Sequence, residues 1–322
     1  MRSAEDTEAT AGLDPETLLG DDHETFTGVT SGERAGPLAV VAAPFAGRQT
    51  VVAAAADRLG VEAVSLSADR ASVPQVPAEG PVVVDGCHHL YRRAVGGFDR
   101  LDEFLNRLAA AEGPVVTGWN RYAWTYLAAV RGLDRAFADR VDVGPVAAEA
   151  IAEVVLSRYG DLPSFAADES MSRERRVRFR RRRISVGGYG LEVPVPTLRP
   201  PAGEVAPADV VFERLAAVTE GNVGAATAIW TSARSEEMRP SDVVGAGTDP
   251  TLDREEAFCL RLVLAKGRVA RSELEAVIGE GVDRVVGRLV RAGLLVHEGA
   301  FVTLEPAALP TATAAADRRP IL

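Results

Sequence analysis

Leu38-Ala-Val-Val-Ala-Ala43-Pro44-Phe45-Ala46-Gly47-Arg48-Gln49-Thr50 is the stretch that decides the fold: an apolar strand, a short glycine-containing loop, then a helical pattern running to Leu59. A loop in that setting can close its backbone N–H groups round an anion at a helix N-terminus. A lysine then reaches the β- and γ-phosphates and a hydroxyl reaches magnesium. Here Ala42-x-x-x-x-Gly47 keeps the frame, but Arg48 stands at the lysine position and Gln49 at the hydroxyl position. Arg48 keeps the charge in a bulkier, planar group, and the hydroxyl nearest in sequence is that of Thr50. Ala46, Gly47, Arg48, Gln49 and Thr50 are the candidate cofactor-binding residues.

Outward from this loop, short apolar runs alternate with helical patterns between Gly36 and Gly144. Strands are expected at Leu38–Ala43, Glu62–Leu66, Pro81–Asp85, Pro114–Thr117 and Val141–Val143. Spacing such as Leu101, Phe104, Leu105 and Leu108 supports the helices between them. That alternation argues for a parallel sheet. Asp85 ends its strand where a magnesium-side carboxylate would lie, so Thr50 and Asp85 are the candidate metal ligands. The next strand runs into Thr117-Gly-Trp-Asn120, at the sheet edge where open parallel sheets bind ligands. Asp85 and Asn120 are the candidate catalytic residues. Gly86 follows Asp85 directly, so no carboxylate stands there to polarise an attacking water.

From Pro145 to about Ala233 the pattern is helical, with Ile151, Val154 and Val155 on one face and Phe212, Leu215, Ala216 and Val218 leading to Gly221-Asn222. The segment Arg173 to Pro201 interrupts it. Ile184, Val186, Val193 and Val195 around Gly187-Gly188 predict a hairpin or extended arm. Eight arginines fall in the eleven positions from Arg173 to Arg183, with Arg180, Arg181, Arg182 and Arg183 in one run. Three readings fit this run: contact with a nucleic-acid phosphate backbone, attraction to an anionic membrane surface, or a solvated arm paired with acids elsewhere in the fold. Gly245 to Pro250 reads as a linker.

Beyond it, helices are expected over Asp253–Leu264, Arg271–Ile278 and Val282–Ala292, and a two-stranded wing over Leu294–His297 and Ala300–Leu304. This is a winged helix-turn-helix pattern. Its third helix carries Arg284, Arg288 and Arg291 at spacings of four and three, a strip suited to a DNA groove. Protein interaction or dimerisation is the other use of such a unit.

The composition bounds these readings. With 322 residues, 47% hydrophobic content and 25% charged residues, and a mean hydropathy of +0.02, the chain is neither disordered nor collagen-like overall. No apolar run approaches the ~20 residues of a membrane-spanning helix, and Glu5, Asp6 and Glu8 do not fit a secretory signal; a cytoplasmic location is expected. The net charge of −10 arises from 46 acids and 36 bases, and Lys266 is the one lysine. Cys87 and Cys259 stand far apart and read as buried free thiols. His88 and His89 adjoin the Asp85 strand, but neighbouring side chains diverge and rarely share one ion. His23 and His297 are expected at the surface.

On these residues the chain resembles the P-loop ATPases of the AAA+ and STAND type, particularly archaeal ATPases akin to replication initiators, over roughly residues 20 to 305. The carriers are Ala42 to Thr50 as a Walker A loop, Val82 to Asp85 as Walker B and Thr117 to Asn120 as a sensor-1-like strand end. Leu133 to Arg140, the turn at 219–224 within Leu215 to Trp230, and the C-terminal winged helix complete the set.

The resemblance implies ATP or ADP with magnesium, DNA contact, and a partner protein or self-association. It also offers Arg135 or Arg140 as an arginine finger, against a solvated helix-end role. The departures at Arg48, Gln49 and Gly86 imply a degenerate ATPase impaired in hydrolysis. The expected fold is α/β: a P-loop NTPase-like parallel sheet over 16–144, a helical lid over 145–245 with an Arg-rich β insert at 173–201, and a winged helix-turn-helix over 251–306. Disordered tails are expected at 1–15 and 307–322. The expected function is a nucleotide-binding regulator that contacts DNA through its winged helix and arginine arm. The alternative is an interaction scaffold that holds a protein or membrane partner without using nucleotide.

Overall fold

The computed structural model describes residues 12–69, 71–159, 163–168, 206–246 and 250–318, together with the backbone of 178–186 and 189–197. Two short helices, α1 (Pro15–Leu19) and α2 (His23–Thr30), precede the sheet. Asp14 caps α1 by accepting from the Thr17 N–H at 2.7 Å, and Phe26 and Val29 are fully buried.

The chain then runs β1 (Pro37–Ala42), α3 (Arg48–Leu59), β2 (Val64–Ser65), β3 (Val82–Asp85), α4 (Asp99–Ala109), β4 (Val115–Asn120), α5 (Arg121–Arg131) and β5 (Asp139–Asp142). The five strands form one parallel sheet in the order β2-β3-β4-β1-β5. β1, β3 and β4 are buried nearly throughout, which is why they read as unbroken apolar runs rather than alternating ones. The fold is α/β, built on a five-stranded parallel sheet. β4 lies between the strand that carries the glycine loop and the strand that ends in Asp85, with Val40 opposite Gly118 and Val84 opposite Thr117.

Residues after the sheet build α6 (Ala148–Arg158), β6 (Ser164–Phe165), the antiparallel hairpin β7 (Arg178–Val186) and β8 (Tyr189–Thr197), α7 (Pro207–Val218), α8 (Val223–Ala233) and β9 (Glu237–Met238). Phe212 and Trp230 stack at 5.1 Å and hold α7 to α8. The hairpin expected around Gly187-Gly188 is present in the backbone pairing, Arg182 opposite Val193. The side chains of Arg180, Arg181, Arg182 and Arg183, the stretch 173–177 and the tail 1–11 lie outside the described residues.

The C-terminal part comprises α9 (Arg254–Lys266), β10 (Arg268–Ala270), α10 (Arg271–Ile278), α11 (Val282–Arg291), β11 (Leu295–Glu298), β12 (Phe301–Leu304) and α12 (Leu309–Asp317). A reciprocal cap starts α9: Asp253 Oδ1 accepts from Glu256 N–H and Glu256 Oε2 from Asp253 N–H, each at 2.9 Å. Val282, Val285, Val286 and Leu289 are the buried stripe of α11. β11 and β12, the two strands expected here, gain a third, unanticipated partner, giving an antiparallel sheet in the order β10-β12-β11.

The tail expected from residue 307 is instead the helix α12. Its Leu309, Ala312, Ala315 and Ala316 are buried in the same cluster as Leu260 and Val263 of α9. Burial of small residues, not a large apolar stripe, orders it. Among the described residues, no helix is long and apolar enough to cross a membrane.

Candidate functional site

The loop between β1 and α3 is held from outside. Phe45 lies at φ 62 and Gly47 at φ 98; the first is an uncommon conformation for a residue with a side chain. The start of α8 holds Phe45 there. Gly224 N–H donates to the Phe45 carbonyl at 3.0 Å, and Asn222 Nδ2 donates to the Pro44 carbonyl at 2.8 Å. Asn222 also caps α8 through Oδ1. A Cβ on Gly224 would lie 2.5 Å from Phe45 Cβ, so only glycine allows this approach. The 219–224 turn picked out in the sequence thus abuts the loop, which closes on itself through Ala46 N–H to Ala43 O at 3.3 Å.

Arg48 opens α3 and reaches across the strand ends to β3. Its Nε donates to Asp85 Oδ1 at 2.7 Å and its Nη2 to Asp85 Oδ2 at 3.3 Å. The fork engages both carboxylate oxygens, the geometry in which an arginine pair is strongest. The two side chains are only 15% and 9% exposed. β4 provides the seat. A Cβ on Gly118 would stand 2.1 Å from Asp85 Oδ1, 3.0 Å from Val52 Cγ2 and 3.2 Å from Arg48 Cδ. Gly118 falls within the Thr117 to Asn120 strand end, yet nothing in its own neighbourhood of the chain signals this role, because the role is defined by what crosses over it.

Asp85, expected with Thr50 as a metal ligand, is paired with Arg48 in this structure. In place of an ion, Asp85 carries a guanidinium on both oxygens. Gln49 and Thr50 lie in the first turn of α3. Among the described residues, no group of three His, Cys, Asp or Glu side chains could hold a metal ion. Asp85 offers a magnesium ion no carboxylate oxygen that Arg48 does not already engage.

Gly86 has a structural reason. It sits at φ 74, and a Cβ there would lie 2.3 Å from the Leu66 carbonyl oxygen. A carboxylate side chain after Asp85 is therefore incompatible with the path of the chain beside β2.

Asn120, a candidate catalytic residue, makes two contacts through its amide. Its Oδ1 caps α5 by accepting from Tyr122 N–H at 2.9 Å, and its Nδ2 donates to Leu264 O at 2.8 Å. Both ends of the amide are engaged away from Arg48 and Asp85.

Its own N–H donates to His88 Nδ1 at 3.3 Å. The turn Cys87–His89 brings the two imidazoles to 4.4 Å instead of splaying them apart. Burial, followed by the charges of neighbouring basic groups, holds both histidines well below the usual imidazole range. Burial also raises the Cys87 thiol well above its ordinary value, with the Asp85 charge adding to it. Both cysteines are buried free thiols.

The arginines of α11 are exposed, and two of them pair with acids at the start of α9. Arg284 pairs with Glu255 at 2.5 Å and Asp253 at 3.6 Å. Arg288 pairs with Glu256 at 2.8 Å and Asp253 at 3.6 Å. Arg291 makes no ion pair among the described residues. Arg140 lies in β5, pairs with Asp142 at 2.6 Å and lies over the Trp124 ring.

No family model and no curated protein matches the sequence. Solved structures align along most of the chain at low identity. The RuvB Holliday junction branch migration motor of Thermotoga maritima is 12% identical with a TM-score of 0.40, over 91% of this chain and 92% of that one. The Orc1 protein of Aeropyrum pernix in complex with DNA is 14% identical with a TM-score of 0.39, over 97% and 96%. Cdc6p from Pyrobaculum aerophilum is 11% identical with a TM-score of 0.35, over 97% and 98%. Likeness at this level assigns no residue a role.

Proposed function

We propose that the chain is a nucleotide-binding, hydrolysis-impaired regulator of the AAA+ and STAND type, in which the loop at 43–50 takes the phosphates of ATP or ADP. The observation that carries this reading is the convergence of the Gly47 loop and Asp85 at one sheet edge, joined through Arg48. Support comes from α3 itself, which starts at Gly47 with no side-chain cap and no acid in its first turn, so its N-terminal dipole favours an anion there. Impaired hydrolysis follows from Gly86, where a general base has no room, and from Asp85 being engaged by Arg48.

The C-terminal part is read as a winged helix that, with the arginine hairpin, contacts DNA. Arg180, Arg181, Arg182, Arg183, Arg284, Arg288 and Arg291 are the expected phosphate contacts; the ion pairs of Arg284 and Arg288 with α9 are half-exposed and weak enough to exchange for phosphate. A thermal melt decides the nucleotide reading. A ligand at about 100 times its Kd adds ~2.7 kcal/mol, so millimolar ATP or ADP raises Tm; no shift, with or without magnesium, overturns it. For DNA, neutralising Arg180 to Arg183 is expected to weaken a salt-dependent affinity and flatten its salt slope by ~0.9 for each phosphate no longer neutralised; unchanged binding removes the arm from the account.

The Arg48–Asp85 fork also favours a second reading, a scaffold whose closed loop holds a partner without nucleotide. That reading predicts no thermal shift.

A further inference from the structure

The fork at the loop bears on the charge a nucleotide meets there. Magnesium at a phosphate site requires near-octahedral oxygen ligands and is bound through one or two protein carboxylates together with the phosphates. Asp85 is the carboxylate at the end of β3, and the Arg48 guanidinium holds both of its oxygens, at 2.7 and 3.3 Å. With exposures of 15% and 9%, this pair is screened little by solvent ions, and its cation does not lose its proton.

A dication arriving on Asp85 has to displace the guanidinium, and a charged arginine is then left beside it. Gly118 is what admits the carboxylate there, since a Cβ at that position would stand 2.1 Å from Asp85 Oδ1. Gln49, at the hydroxyl position, offers an amide. The carboxylate at the strand end thus meets a built-in cation before it meets one from solution.

We propose that nucleoside di- and triphosphates bind at the 43–50 loop without a divalent cation, because the Asp85 carboxylate that would draw one in is already engaged by Arg48. This rests on the nucleotide-binding reading above. Isothermal titration of the full chain with ADP and with ATP, once in EDTA and once in excess magnesium, tests it. The two Kd values for each nucleotide are expected to agree within about threefold, less than half a decade on the affinity scale.

Magnesium is expected to matter in Arg48→Lys. A lysine is a point charge that cannot fork onto two oxygens, so Asp85 is released and magnesium tightens nucleotide binding about tenfold or more, ~1.4 kcal/mol. A wild-type gain from magnesium above threefold overturns the inference while leaving nucleotide binding standing. Equal magnesium independence in Arg48→Lys moves the effect away from the fork and also overturns it. Absence of binding in both buffers overturns the inference together with the reading beneath it. Should Arg48→Lys fail to fold, the wild-type ratio decides alone.

Discussion

Arg48 and Asp85 are 37 positions apart in the chain and form one unit in the fold. Removing one partner of a mostly buried pair leaves an uncompensated charge, at a cost of about 3 kcal/mol, whereas removing both is far less costly. Arg48→Met is therefore expected to lower stability in urea denaturation by about that amount, and Asp85→Asn in the same chain to restore most of it. A double variant as unstable as the two single losses added together sinks the pairing. Gly118→Ala presses a methyl group onto the same carboxylate and is expected to cost ~1–3 kcal/mol by overpacking, read as a lower urea midpoint. The arginine in place of lysine is visible in the sequence; its partner is not, because a local motif does not say which side chain lies opposite. Gly118 is less visible still, since a glycine in a strand is silent until the group above it is known.

At the scale of elements, legibility depends on residue size. The valine-rich runs of β1, β3 and β4 are buried on both faces and so stand out as strands, and α11 is readable from Val282, Val285, Val286 and Leu289. Asn120 reads as a polar strand end in sequence, and the structure adds that it caps α5 and ties to Leu264, contacts that a local motif does not show. α12 escapes a sequence reading because Pro-Thr-Ala-Thr-Ala-Ala-Ala has no large apolar stripe. Its buried face is three alanines and Leu309, tied further by Ala246 N–H to Ala307 O and by Thr311 Oγ1 to Ala246 O. Deleting 307–322 uncovers α9. Burial of Leu309 alone contributes about 1.5–3 kcal/mol, so calorimetry is expected to show a Tm lower by several degrees. An unchanged Tm would return this segment to the tail it resembles in sequence.

Across the whole molecule, the C-terminal part is joined to the sheet through polar groups that are buried, and the one lysine is the most exacting of them. Lys266 ends α9, is 3% exposed, donates to the Tyr91 carbonyl and lies 4.0 Å from the centre of the Tyr91 ring. Ala265 beside it belongs to the cluster of Tyr91, Trp119 and Leu127, so the sheet and the C-terminal part share a core across the expected boundary near 250. Burial lowers the Lys266 amine from 10.5 to about 8; Glu273 opposes the shift, and Arg92 and Arg93 add to it. Below pH 8 the amine is protonated in both folded and unfolded chains, and the folded state carries the full cost of the buried charge. Between pH 8 and 10.5 the unfolded chain holds a proton that the folded chain has shed, so this group's contribution to stability rises with pH, by about 3 kcal/mol at most. Tyr91, raised to about 12, and Cys87 act in the opposite sense at high pH, so the effect is read against Lys266→Met. The stability of that variant minus that of the wild type is expected to fall steadily from pH 7.5 to 10.5. Tyr91 and Cys87 are common to both chains and largely cancel from the difference. If the difference is flat across that range, Lys266 stays protonated in the folded state, and the junction between sheet and C-terminal part is held by a permanent buried cation instead.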